Sequence, residues 1–188
     1  MKKLIALTLI IVMCFSLTVF VSAEDTQPSA TLIYSDIAES TDIPNNTIHL
    51  GQPVIQTDGF VPISPASTSI PTQYWNLANS NYPATIDYVA ISWLYTNCYF
   101  KTNANGQIFV QYTIYSSTGR STPMKVGIYD LTTSTLSIVW TSAGATLAGI
   151  TEGIYISNLN TTHNYAICFT TGIPDGVFGS AIISDHQL

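Results

Sequence analysis

Three histidines, eleven acids and five cations are all that this 188-residue chain offers for acid–base chemistry. A triad or a Cys–His pair would need a histidine held beside its partners. His49 lies in a Pro-rich stretch, His163 in a polar turn and His186 at the tail, and no spacing groups them. His163 is expected to serve its turn. The sequence contains no Gly-x-Ser-x-Gly, no His-Glu-x-x-His and no phosphate-binding loop. Glycoside hydrolysis would need two carboxyl groups facing each other at about 5–10 Å. Asp130, Glu152, Asp175 and Asp185 are expected at turns or strand ends, in water, and Asp87 opens a strand. Calcium wants several oxygens close together, and no Asp-x-Asp run supplies them. The expectation is therefore a non-catalytic protein with no metal and no cofactor.

The aromatic residues carry more. Ile108, Val110, Tyr112 and Ile114 share one phase of a strand, and Phe109, Gln111, Thr113 and Tyr115 share the other. With the Ile/Val phase inside, Phe109, Gln111 and Tyr115 point outward. Rings that meet C–H bonds, beside amides that meet hydroxyls, would suit a sugar. These three are the candidate ligand-binding residues. Trp93, Tyr95 and Tyr99 fall on one phase of an earlier strand that is apolar on both phases, which predicts a central strand covered on both sides.

Positioning such residues calls for a β framework. From Ile86 onward Tyr, Val, Ile, Thr and Phe dominate, types that suit a pleated, half-buried surface. Strands are expected near 86–100, 107–116, 124–130, 135–141, 153–158, 164–171 and 177–184. Turn chemistry separates them, as in Asn103-Ala104-Asn105-Gly106 and Pro174-Asp175-Gly176. No window carries a helical stripe. The prediction is an all-β, antiparallel β-sandwich of about 7–8 strands, immunoglobulin/fibronectin-like or jelly-roll-like.

Within this pattern, Leu159-Asn160-Thr161-Thr162-His163-Asn164-Tyr165 resembles the tyrosine corner of fibronectin-type and immunoglobulin-like sandwiches. There a Leu sits six residues before a Tyr that opens the penultimate strand. The resemblance implies that the Tyr165 hydroxyl bonds back to the corner's backbone. Cys168 stands three residues after Tyr165, where the immunoglobulin spacing is two. Tyr165, Ile167 and Phe169 make the bulky, inward phase, so Cys168 is expected to turn outward. An exported chain permits a Cys98–Cys168 disulfide, closing a loop of about 70 residues for roughly 4 kcal/mol. Two free, half-buried thiols are the other reading.

The first residues address the compartment. Met1-Lys2-Lys3, an apolar run from Leu4 to Val21 and the small residues of Val21-Ser22-Ala23 make a signal peptide over 1–23. The expected contact with a membrane is transient, through that peptide, and the destination is extracellular or the cell surface. Its removal takes away Lys2 and Lys3, leaving three cations against eleven acids, a charge of −8. Only 9% of the chain is charged. Nucleic acid is excluded as a partner, because phosphate binding needs clustered cations.

Residues 24–73 are rich in Pro, Ser and Thr and are expected to form a loosely ordered stalk before a folded domain at 74–188, with short edge strands at Val54-Ile55 and Phe60-Val61. Thr72 to Leu77 is expected to touch the domain. The function this suggests is a secreted binding or interaction module whose partner is an extracellular glycan or a surface protein. The alternatives are a structural component of an envelope or matrix, and a small secreted hydrolase.

Overall fold

The computed structural model describes residues 27–37, 48–49, 55–56, 59–60, 70–89, 93–116 and 118–188. The expected signal peptide at 1–23 lies outside the described residues. So does much of the expected stalk.

The described residues are all-β and contain no helix. The strands are β1 (Ser29–Ile37), β2 (Ile48–His49), β3 (Ile55–Gln56), β4 (Gly59–Phe60), β5 (Gln73–Tyr74), β6 (Tyr82–Val89), β7 (Leu94–Tyr95), β8 (Cys98–Tyr99), β9 (Ile108–Ser116), β10 (Lys125–Asp130), β11 (Thr135–Thr141), β12 (Ile150–Ser157), β13 (Tyr165–Thr170) and β14 (Val177–Ser184). A larger sheet runs β1-β12-β9-β14-β6-β2 and a smaller one β11-β10-β13-β7. Every pairing in them is antiparallel except β2 with β6. β3 pairs with β4, and β5 with β8.

Alternation explains why these segments pair. Ile108, Val110, Tyr112 and Ile114 of β9 join Ile154 and Ile156 of β12, Ala181 and Ile183 of β14, and Val126, Ile128, Tyr165, Ile167 and Phe169 of the smaller sheet in one core cluster. A fully buried side chain of this kind contributes about 1.5–3 kcal/mol. The turns close as their residues require. The Asn103 carboxamide oxygen accepts from the Asn105 and Gln107 amides, and Asp130 accepts from those of Thr132 and Thr133.

Two expectations need correction. The strand foreseen at 86–100 is three strands: β6 belongs to the larger sheet, β7 ends the smaller one, and β8 pairs with β5. Trp93 and Tyr95 are accordingly half-buried, not covered on both sides. Second, part of the expected stalk is sheet. β1 pairs with β12 from Ser29↔Ser157 to Ile37↔Ile150, with a bulge between Leu32 and Tyr34. The Tyr34 ring then lies across Gly153, where a Cβ would come within 2.4 Å of Cε1. Downstream, Leu77 reaches the core and Trp75 meets Tyr82 edge-on at 5.3 Å.

Candidate ligand-binding face

On the larger sheet, the phase opposite the core faces outward. Cross-strand register lays its residues in rows. One row is Thr31, Tyr155, Phe109 and Ser184, and the next is Tyr34, Gly153, Gln111 and Ile182. The third is Asp36, Thr151, Thr113 and Ser180. Beyond them Tyr115 stacks on Phe178 at 5.6 Å.

Phe109, Gln111 and Tyr115 all occupy the outward phase, but they do not make an open row of rings. Phe109 is fully buried, tilted against Tyr155 at 5.1 Å, and Tyr115 is 3% exposed. Gln111 is half-buried, and its Oε1 accepts from the Tyr34 hydroxyl at 2.7 Å. The rings that reach solvent are their neighbours: half-buried Tyr34 and Tyr155, and Phe178 at 37% exposure. Between them runs a polar band in which the Thr113 and Thr151 hydroxyls are 2.8 Å apart. Burial, and then the Asp36 carboxylate, push the Tyr34 hydroxyl up from its ordinary pKa. The residues that sequence reasoning missed lie on β12, read as starting at 153, on β1, read as stalk, and, for Phe178, on β14, whose strand was expected but whose ring was not singled out.

The core holds a polar centre that the sequence also hid. Glu152 is not a solvated turn acid. It stands inside β12, 1% exposed, because Ile150, Glu152 and Ile154 share the inward phase. Its Oε2 accepts from the Tyr112 hydroxyl in a short bond and from Trp140 Nε1 at 2.9 Å. Its Oε1 accepts from the Ala143 amide at 3.3 Å and the Ser35 hydroxyl at 3.4 Å. Burial, reinforced by that carboxylate, drives the Tyr112 hydroxyl far above its ordinary pKa. Four donors from β1, β9, β11 and the turn after it converge on one carboxylate. Such a group is costly to bury unless its lone pairs are filled, and here they are.

His163 does meet an acid. Its Nδ1 lies 2.7 Å from Asp130 Oδ2. Asn160 Oδ1 accepts from the Thr162 amide and hydroxyl, which turns Asn160 Nδ2 toward His163 Nε2 at 3.2 Å. The ring therefore donates from Nδ1 and accepts at Nε2. The nitrogen that a general base would use is already engaged. Burial works to raise the Asp130 carboxyl, but bonds from His163, Thr132 and Thr133 outweigh it and hold the group below the usual carboxylate range.

At the corner, Leu159 and Tyr165 are both buried. The Tyr165 hydroxyl accepts from the Asn160 amide at 2.8 Å and donates to the Asn160 carbonyl at 3.3 Å.

Cys98 and Cys168 are free and buried, so the disulfide that the count permitted is absent. Cys98 joins the core cluster, whereas Cys168 occupies the outer phase of β13. There a Cβ on Gly127 would meet both the Cys168 Sγ and the Trp93 ring at 2.9 Å. Burial pushes the Cys98 thiol up to about 12 and raises that of Cys168 further.

Among the described residues, no cluster of three or more His, Cys, Asp or Glu could hold a metal ion, and no helix is long and apolar enough to cross a membrane. A scan of protein-family models finds none that matches the chain, and a search of curated proteins finds no match either.

Proposed function

We propose that this chain is an exported, non-catalytic β-sandwich module of the immunoglobulin/fibronectin-like type that binds neutral glycans on the outer face of its larger sheet. The observation that carries the ligand assignment is the row structure of that face. Gln111, Thr113 and Thr151 form a hydrogen-bonding band, with Tyr34 and Tyr155 on one flank and Phe178 on the other. A sugar ring offers apolar C–H faces and hydroxyl rims, and this arrangement answers both. Asp36, at the edge, is the one acid in the three rows, which favours an uncharged ligand in a chain whose exported form has three cations against eleven acids, a net charge of −8. Two points support a non-catalytic reading: the half-buried Asp130–His163 contact has its outer nitrogen occupied, and Glu152 is enclosed by donors. The corner at Leu159–Tyr165 supports the immunoglobulin/fibronectin-like type, and the Val21-Ser22-Ala23 site supports export.

A glycan array probed with the full chain tests the assignment. Saturable binding that falls about tenfold or more in Gln111→Ala and Tyr155→Ala, with melting temperatures retained, supports it. The same binding in both variants refutes the face.

A second reading, a structural component without a ligand, is favoured by one feature. Among the described residues β1 ends the larger sheet, with Leu32, Ile33 and Ile37 exposed on it, Ile37 by 75%, and such edges pair laterally. Reversible self-assembly on concentration, with no glycan bound, would select it.

A further inference from the structure

The smaller sheet has an outer face of its own. Trp93 lies across Gly127, whose missing side chain makes room for the ring. Tyr95, opposite Cys168 in register, meets Tyr129 edge-to-face at 5.8 Å. All three rings are half-buried, and none belongs to the core. Next to them on β11, Leu136 pairs with Tyr129 and Ile138 with Gly127, and these two are 39% and 56% exposed. The floor under the rings is Gly127, Ala166 and Cys168. Small residues there let the rings lie low and form a shelf.

We infer that Trp93, Tyr95 and Tyr129 form a second neutral-glycan platform, so that one molecule grips sugar chains on two opposite faces. The inference rests on the glycan reading of the larger sheet, but its residues are separate. The charge pattern selects the occupant. This phase of β10 and β13 carries Lys125 and no acid. A second copy of the exported chain would bring its own net charge of −8, three cations against eleven acids, against the first, whereas a neutral sugar is not repelled. Half-buried rings that still reach solvent are what a sugar's C–H surface packs against, and Tyr95 and Tyr129, at 88° to each other, offer one face and one edge. Two such sites on one particle add avidity to a polymer with many repeats.

Electrophoresis of the full chain through gels containing xylan, mixed-linkage β-glucan or galactomannan tests this. Retardation is expected in at least one gel. Trp93→Ala and Tyr129→Leu should each weaken it about tenfold or more, through lost avidity. Tyr129→Leu is included because Trp93→Ala also opens space beside Gly127, and the melting temperature of each variant is measured alongside. If both variants migrate as the parent does while Gln111→Ala loses retardation, the second platform is refuted and the first face stands. If Gln111→Ala and Tyr155→Ala keep full retardation while Tyr129→Leu loses it, the first face fails and this one stands. A parent chain that no gel retards overturns both. Concentration-dependent dimers abolished by Tyr129→Leu, without any sugar binding, would assign the shelf to a second copy and overturn the inference.

Discussion

Tyr112→Phe removes one oxygen from the core and leaves the ring in place. In the parent, that hydroxyl donates to Glu152 Oε2, which then retains only Trp140 Nε1 at 2.9 Å. A bond to a charged group is worth about 1.5–3 kcal/mol, and no water stands ready to replace it at a carboxylate 1% exposed. We take about 2 kcal/mol. A domain of this size shifts by about 2–4 °C per kcal/mol, so the melting temperature should fall by about 4–8 °C. Urea denaturation should show the same loss with an unchanged slope. Glu152→Gln closes a double-mutant cycle. Gln keeps its one acceptor oxygen for Tyr112 and Trp140, so that the Tyr112 bond is no longer to a charged group, and turns an N–H toward the Ala143 amide. In that background Tyr112→Phe should cost much less, with a coupling of about 1 kcal/mol or more. If Tyr112→Phe leaves stability intact, or the coupling falls within about 0.3–0.5 kcal/mol of zero, the carboxylate is not held as described.

Tyr165→Phe should lower stability by about 1–3 kcal/mol, since the Asn160 amide loses its acceptor while the ring still packs; an unchanged melt would make the corner an accident of spacing. Iodoacetamide at pH 8 should leave Cys98 and Cys168 unmodified in the native protein, because burial raises both thiols. After unfolding without reductant both should alkylate, and a peptide linking them would contradict the free thiols. Asp130 is depressed in the fold, so its contribution is present above the ordinary carboxylate value of 3.8 and is lost as pH falls through and below it. Asp130→Asn should therefore flatten the stability–pH curve at the acid end, and an unaltered slope would discount the His163 contact.

Strands were legible where alternation was strong and both neighbours were turns. β9, β10, β11, β13 and β14 lie within a residue or two of where Ile, Val and Tyr placed them. β1 was not, although Thr31-Leu32-Ile33-Tyr34 is a β-rich run, because Pro and Ser surround it and it buries little. Its place comes from β12, which only the fold brings alongside. Glu152 stayed hidden for a related reason. Gly149 and Gly153 around it look like a turn, yet Gly153 is there to admit the Tyr34 ring. The outward phase of Phe109 and Tyr115 could be read from period two, but their covering could not, since Tyr155 and Phe178 arrive from other strands. Likewise the Asp130–His163 contact joins two turns far apart in the chain.

The antiparallel pairing of Ser29 with Ser157 sets an order of events during synthesis and export. β1 emerges before every other strand described, and its partner emerges near the end. Closing so long a loop is entropically slow, and folds dominated by such pairings form slowly. Until it closes, the outer edge of β12 is bare, Ser35 is missing from the Glu152 carboxylate, and the Gly153 socket is empty. A half-folded chain thus exposes an unpaired strand edge, the surface that most readily recruits another chain. Docking β1 covers the edge of β12 and moves the outer edge of the sheet to β1.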